Sequence, residues 1–239
     1  MFKKCSAEFL GTFILCYAGC GAAVLNSSNP LSGPLIFVFL IVGLASGFGH
    51  ISGAHLNPSV SLAFLLTKQM KLKEFCFYII SQFFGALSGF SCLYALLSSL
   101  HGKVTNLACN GYGELSPTNI SVYNAFLFEL FITCFFVYVI LTNCNKENAP
   151  FIIAFTLGSI AFFGGSLTGG SMNPVRSLAP ALIMRGIALQ QAWLFVCAPL
   201  CGAVLAVLLF KKFNCECKKT DRDSKDGKDT ELVELNNRD

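Results

Sequence analysis

Charged residues are scarce in most of this chain. Asp, Glu, Lys and Arg make up 13% of its 239 residues, whereas soluble domains contain about 25%. Of the 30 charges, 14 lie in residues 1–210 and 16 in the last 29 residues. A body this poor in charge, in a chain that is 54% hydrophobic, excludes a soluble globular domain and predicts a membrane domain over residues 1–210. The tail, residues 211–239, is predicted to be cytoplasmic, solvated and disordered.

Residue combinations that serve catalysis or metal binding are also missing. The chain has three histidines, and no set of nucleophile, base and acid accompanies them. Most of the 12 cysteines lie in apolar stretches, where cysteine behaves as a small apolar residue, and Cys109 is alone in a loop. We therefore predict no enzyme activity, no metal site, no cofactor and no nucleic-acid partner.

Six long apolar stretches predict membrane-spanning helices. Several approach the ~20 residues that cross a bilayer, and two are shorter. They cover roughly residues 7–25, 35–48, 75–97, 122–141, 151–167 and 192–210. Lys residues are concentrated before the first stretch and after the second, fourth and sixth. The positive-inside rule therefore predicts that both termini are cytoplasmic, and we expect a multi-pass protein of the plasma membrane.

Two Asn-Pro pairs, Asn57-Pro58 and Asn173-Pro174, each follow a Gly-rich segment. Asn is a favoured helix N-cap and Pro is favoured at the next position, so each pair predicts a helix start. The apolar runs that follow have about 11 and 12 residues, or about 16–18 Å, which is near half of a ~30 Å hydrocarbon core. A lone pair would favour an ordinary turn, but two pairs in matching contexts predict two re-entrant half-helices.

The chain is internally repeated. The run that begins at Glu8 resembles the run that begins at Glu129, and the two Asn-Pro pairs occupy matching places. Because each half contains three spans, repeat 1 (about 5–100) and repeat 2 (about 120–210) enter the membrane in opposite orientations, as in many transport proteins. The predicted fold is an all-α membrane protein with six transmembrane helices and two re-entrant half-helices in an inverted 3+3 repeat.

On these paired motifs the chain resembles the aquaporin, or major intrinsic protein, family over about residues 5–210. Ser177 and Ala181 resemble its water-channel branch more than its glycerol facilitators. In that family the two asparagines donate hydrogen bonds to passing water, and half-helix dipoles with a filter arginine exclude protons and cations. The resemblance implies these pore roles for Asn57 and Asn173, together with a homotetramer that has one pore per subunit.

The resemblance also implies a filter made of four residues. These are Phe37, Ala161, Gly170 and Arg176. Water-selective members usually have His at the position of Ala161, and glycerol channels usually have a second aromatic residue at the position of Gly170. The missing His implies a wider filter. Val175 and Ser59 replace the alanine that the family usually has after each Asn-Pro pair, and they leave the pore width open.

Other polar residues of the body have two interpretations each. Glu8 and Glu129 are costly inside a bilayer. They are either proton-relay groups or, as their matched positions and the family favour, supports that accept backbone hydrogen bonds from the re-entrant loops that also contain Pro58 and Pro174. His50 is predicted to line the inner vestibule, where it either gates with pH or is a wall residue.

Asn26 and Asn119 begin Asn-X-Ser triplets on the predicted outer side, which makes them candidate glycosylation sites.

The leading hypothesis for function is a passive channel for water and, because the filter lacks the usual His, for small neutral solutes. One alternative is a facilitator mainly for glycerol, urea, ammonia or hydrogen peroxide. Others are an ion channel or coupled transporter, and a junctional or scaffolding membrane protein with a weak or closed pore.

Overall fold

The computed structural model describes residues 1–29 and 31–236, with side chains up to Phe213. The described residues form helices, one short 3-10 turn at Gly113–Leu115 and no strand. In chain order the helices are α1 (Phe2–Leu25), α2 (Ser32–Ser52), α3 (Pro58–Leu66), α4 (Leu72–His101), α5 (Val122–Asn143), α6 (Ala149–Gly164), α7 (Pro174–Met184) and α8 (Gly186–Asn236).

Six of these helices are the transmembrane spans that the sequence predicts. Within the described residues, α1, α2, α4, α5 and the part of α8 over Gly186–Phe213 are long and apolar enough to cross a bilayer. Most of them extend a few residues beyond the apolar stretches, because a helix continues into the polar interface after its hydrophobic part ends. Lys4 and Glu74, in such extensions of α1 and α4, form an ion pair of 2.7 Å.

Helix α6 is shorter than predicted. It has 16 residues and therefore rises about 24 Å, less than the ~30 Å of the hydrocarbon core. The sequence predicted a span to residue 167, but the helix ends at Gly164, whose carbonyl accepts from the backbone N–H groups of Leu167, Thr168 and Gly169. This hydrogen-bonded turn replaces the last helical turn and leads directly into the second re-entrant loop.

The two half-helices begin at the predicted residues and end slightly earlier than predicted. Helices α3 and α7 have 9 and 11 residues, and end at Leu66 and Met184 rather than near residues 68 and 185. Asn57 caps α3 by accepting from the N–H of Ser59 at 2.8 Å, and Asn173 caps α7 by accepting from the N–H of Arg176 at 3.4 Å. The capping chemistry read from the sequence is therefore present in both halves.

Helix packing follows the inverted repeat. Helix α1 packs against α4 as α5 packs against α8, and α2 packs against α6. Gly85 of α4 lies so close to the carbonyl of Phe9 that a Cβ would collide with it, and Gly202 of α8 lies in the same way against the carbonyl of Leu130. Small residues let these membrane helices approach closely. The two repeats thus share the same close contact between a glycine and a backbone carbonyl of the neighbouring helix.

The backbone of α8 continues to Asn236. The sequence predicted a disordered tail over residues 211–239. Side chains from residue 214 onward and residues 237–239 lie outside the described part of the chain, so the prediction for this tail stays a prediction.

Candidate functional site

A cavity of about 510 Å³ lies between the helices and brings the predicted pore residues together. Seven predicted residues border it: Phe37, His50, Asn57, Ala161, Gly170, Asn173 and Arg176. The rest of its wall is mostly apolar and extends to Lys146 and Glu147, in the loop between α5 and α6. Arg176 and this loop therefore mark different parts of one continuous cavity.

The starts of the two half-helices meet inside the protein. Asn57 Nδ2 donates to the carbonyl of Met172 at 2.8 Å, and Asn173 Nδ2 donates to the carbonyl of Leu56 at 2.9 Å. An Asn amide has two N–H donors, and each Nδ2 has a single acceptor among the described residues. The second N–H of each asparagine remains for a molecule in the cavity. The partial positive charges of two helix N-termini converge at the same place.

Both re-entrant loops contain left-handed backbone just before the asparagines. Leu56 and Met172 have φ values of 50° and 51°, and Gly53 and Gly169 both have a φ of 85°. Non-glycine residues rarely adopt positive φ, and such conformations persist only where the surroundings hold them. The loops therefore need strong supports, and two buried glutamates supply them.

Glu8 of α1 holds the first loop. Its Oε1 accepts from the N–H of His55 at 2.9 Å and from Ser52 Oγ at 2.7 Å. Its Oε2 accepts from the N–H of Leu56 at 2.7 Å and from Gln82 Nε2 at 2.8 Å. The carboxylate is fully buried, and hydrogen bonds to a charged group are worth more than neutral ones. Each oxygen thus serves one backbone donor and one side-chain donor.

Glu129 of α5 holds the second loop in the corresponding way. Its Oε1 accepts from the N–H of Ser171 at 2.9 Å and from Thr168 Oγ1 at 2.5 Å, and its Oε2 accepts from the N–H of Met172 at 3.1 Å. Neither glutamate borders the cavity, and neither do Pro58 and Pro174. These contacts support the structural role over a proton relay.

Arg176 is held by a residue that the sequence did not point to. Its Nη1 donates to the carbonyl of Ala108 at 2.8 Å and to Asn110 Oδ1 at 2.8 Å. Asn110 also accepts from Ser177 Oγ at 2.8 Å and donates to the carbonyl of Thr168 at 3.0 Å. It is only 4% exposed. Nothing in the sequence distinguishes Asn110 from other polar residues of its loop, because its partners are distant in the chain.

The two unusual residues after the Asn-Pro pairs, Val175 and Ser59, do not border the cavity. Val175 is 4% exposed and belongs to the apolar cluster that contains Cys16 and Cys20 of α1. Ser59 is fully buried, and its hydroxyl has no hydrogen-bond partner among the described residues. Since neither borders the cavity, neither narrows it directly.

The three remaining predicted residues, His50, Asn26 and Asn119, are exposed. His50 is exposed and borders the cavity. Asn26 is exposed at the end of α1, and its Nδ2 donates to the carbonyl of Ala22 at 3.0 Å. Asn119 is exposed in the loop before α5 with a φ of 51°. Glycosylation at either asparagine stays a prediction. Among the described residues, no cluster of three His, Cys, Asp or Glu could hold a metal ion.

Spans in an inverted repeat and capped half-helices that meet beside a cavity define a membrane channel. The family model described as "Major intrinsic protein" matches residues 1–210. The chain belongs to this family. It is therefore a multi-pass channel for water or small solutes, and it is not an enzyme.

Two curated relatives are similar over nearly their whole length. The chain is 37% identical to "Aquaporin Z" of Brucella melitensis over 222 residues, which cover 88% of this chain and 97% of the relative. It is 36% identical to "Aquaporin Z" of Rhodopseudomonas palustris over 226 residues, 90% of this chain and 94% of the relative. The X-ray structure of the aquaglyceroporin from Plasmodium falciparum matches with a TM-score of 0.76 and 26% identity, covering 90% of this chain and 98% of that one.

Proposed function

We propose that this protein conducts water passively and, through a filter wider than that of strict water channels, small neutral solutes as well. The observation that carries the proposal is the pair Asn57 and Asn173, which border one cavity from opposite half-helices and each retain an N–H donor. The oxygen of a water or solute molecule that passes the two asparagines accepts hydrogen bonds from their N–H groups, and these replace hydrogen bonds that it made in bulk water. The apolar remainder of the wall offers few competing partners.

The same pair opposes the passage of protons and cations. A water that accepts from Asn57 and Asn173 is oriented by them, which interrupts a hydrogen-bonded chain along which a proton would move. The two half-helix N-termini each contribute roughly half a positive charge at this point. Arg176 adds a full charge at another part of the wall, where half-helix dipoles and an arginine form an electrostatic barrier of the kind known in water channels.

The filter consists, in this proposal, of Phe37, Ala161, Gly170 and Arg176. Ala161 and Gly170 contribute almost no side chain, and Gly164 packs tightly behind Gly170, since a Cβ on Gly164 would lie 3.0 Å from the Cα of Gly170. Arg176 provides donors and Phe37 an apolar surface. Such a constriction suits small neutral molecules with an acceptor oxygen, such as glycerol or urea, in addition to water.

The similar proteins support both parts of this proposal. The Aquaporin Z relatives support conduction of water. The likeness to an aquaglyceroporin supports a fold that also accommodates larger solutes. The alternative in which glycerol, urea, ammonia or hydrogen peroxide is the main solute differs only in the relative permeabilities.

We further propose a homotetramer in the plasma membrane, with both termini in the cytoplasm. Large apolar side chains cover the outer faces of the helices of the single subunit, including Phe39, Phe131 and Phe162, which are 68%, 59% and 57% exposed. Lipid and neighbouring subunits would cover these faces. The distribution of Lys along the chain supports the orientation.

Stopped-flow light scattering of proteoliposomes tests the function. We expect water permeability well above that of protein-free liposomes, and measurable permeability to glycerol or urea, without proton leakage followed by an entrapped pH dye. Absence of flux for every neutral solute would overturn the channel proposal and favour the junctional or scaffolding alternative. Appreciable proton or cation flux would favour the ion-channel alternative. A cation pathway would need acidic groups, and Glu147 is the one carboxylate in the described wall of the cavity.

A further inference from the structure

Helix α1 departs from regular geometry beside the cavity. Residues Leu15–Cys20 form a π-helical segment between two α-helical parts, Phe2–Ile14 and Gly21–Leu25. Helix α5, which corresponds to α1 in the second repeat, is α-helical over its whole length, Val122–Asn143. A π-helical turn is rare and often marks a functional site. The inverted symmetry is therefore broken at this turn.

The π-helical turn contacts the predicted filter from behind. Its first residue, Leu15, borders the cavity. Cys16 and Cys20 are fully buried in the cluster that contains Val175 of the second half-helix. Gly19, also buried, lies directly against the ring of Phe37 on α2. The turn thus contacts Phe37 on α2 and shares an apolar cluster with the second half-helix.

The ring of Phe37 occupies the space that a side chain on Gly19 would need. A Cβ on Gly19 would lie 2.7 Å from Cε1, 3.1 Å from Cζ and 3.2 Å from Cδ1 of that ring. Non-bonded carbon atoms prefer a separation of about 3.5–4.0 Å, so a methyl group would require the ring to move by about 0.8 Å or more. The three heavy atoms nearest to that Cβ position all belong to this ring.

The cavity is the free space into which the ring can move. Phe37 is half-buried and borders the cavity, while Gly19 is part of a tightly packed helix. A side chain moves more readily into open space than two helices separate, because packed interiors resist displacement. A ring displaced in this way would reduce the free space of the cavity.

We propose that Gly19 determines how far the ring of Phe37 projects into the pore, and thereby sets the largest solute that passes. This inference rests on the proposed function, because it assumes conduction past Phe37. Gly19 is a positioning residue in it and does not touch the solute. The residue at the corresponding place in α5 is Ile140, which follows Glu129 as Gly19 follows Glu8 and borders the cavity with its own side chain. The second repeat therefore has a large side chain at the place where the first repeat has a glycine against Phe37.

The substitution Gly19→Ala tests the proposal in proteoliposomes that carry the full chain. We expect the ratio of glycerol to water permeability to fall about tenfold, since one methyl group commonly changes discrimination in an apolar site by that order. Gly43→Ala is the matched control, because a Cβ on Gly43 of α2 would meet nothing within 4 Å. The control is expected to leave the ratio unchanged.

A second variant separates the role of the ring from general damage to the helix. The double variant Gly19→Ala with Phe37→Leu lacks Cε1 and Cζ, the two ring atoms nearest to the new methyl group, and we expect it to restore glycerol passage to the level of Phe37→Leu alone. If Gly19→Ala does not reach the liposomes, the double variant is still expected to do so, and its failure would overturn the proposal. An unchanged ratio in Gly19→Ala, with water flux intact, would overturn this inference and leave the proposed function standing. Absence of any flux through the unmodified protein would overturn the proposed function itself.

Discussion

At the scale of single residues, the proposed constriction combines one fixed charge with small neighbours. The guanidinium of Arg176, which borders the cavity, is held by Asn110 and by the carbonyl of Ala108, both at 2.8 Å. Ala161 and Gly170, which border the same cavity, leave space beside it. Two substitutions examine these contributions separately.

Filling the space at Ala161 should restrict the larger solutes. In Ala161→His an imidazole would occupy the open part of the constriction, so we expect glycerol and urea permeability to fall while water permeability stays largely intact. Stopped-flow measurements with each solute check this, and Ala161→Ser, which adds one small atom, is the control with little expected change. Equal solute ratios in the histidine variant and the unmodified protein would show that Ala161 is not in the filter.

Releasing Arg176 should reduce conduction. In Asn110→Ala the guanidinium and the hydroxyl of Ser177 both lose an acceptor, and the loss of a buried hydrogen-bond partner costs about 1–3 kcal/mol. We expect a lower unfolding temperature and lower water permeability as the arginine moves into the pathway. Asn110→Asp keeps an acceptor oxygen for both groups and is expected to retain more water flux. Equal flux through both variants would contradict this positioning role.

At the scale of elements, each half-helix depends on a loop that is strained and on a glutamate that holds it. Leu56 and Met172 have positive φ values, and the N–H group of each is bound by a buried carboxylate at 2.7 and 3.1 Å. The carbonyls of the same two residues accept from the asparagines of the opposite loop. Loss of the hydrogen bonds of one glutamate is therefore expected to disturb both loops.

The variant Glu129→Gln tests this coupling. It replaces one acceptor oxygen by a donor beside the donors Thr168, Ser171 and Met172, and each hydrogen bond to a charged group contributes about 1.5–3 kcal/mol. We expect a clear loss of thermal stability in detergent together with reduced water flux. Glu74→Gln, which removes the ion pair with Lys4 at the helix ends, should cost about 1 kcal/mol or less. Similar stability losses in the two variants would argue against the support role of Glu129.

At the scale of the whole molecule, the inverted repeat makes a symmetric backbone with asymmetric chemistry. Arg176 comes three residues after Asn173, and the residue three after Asn57 is Val60, which also borders the cavity. Each half therefore contributes a half-helix N-terminus with its partial positive charge, whereas the place of Arg176 is taken in the first half by the uncharged Val60. The π-helical turn with Gly19 is a second asymmetry, and it lies against the ring of Phe37.

Much of this architecture was predictable because it depends on local chemistry. Apolar length predicts a span, Asn followed by Pro predicts a capped helix start, and repetition of both predicts two inverted halves. Helix ends were less predictable. The end of α6 at Gly164 depends on a turn in which one carbonyl accepts from three backbone N–H groups, and no periodic pattern signals such a turn.

The amino-acid sequence by itself determined the class, the spans, the two half-helices and the asparagines that cap them. Only the tertiary structure decided which side chains face the cavity. In it, Val175 packs in one cluster with Cys16 and Cys20. Asn110 binds Arg176, which is 66 residues away in the chain, and the ring of Phe37 lies against Gly19. The physical reason is that capping and hydrophobic length act between neighbouring residues, whereas pore width is set by contacts between helices that are far apart in the chain.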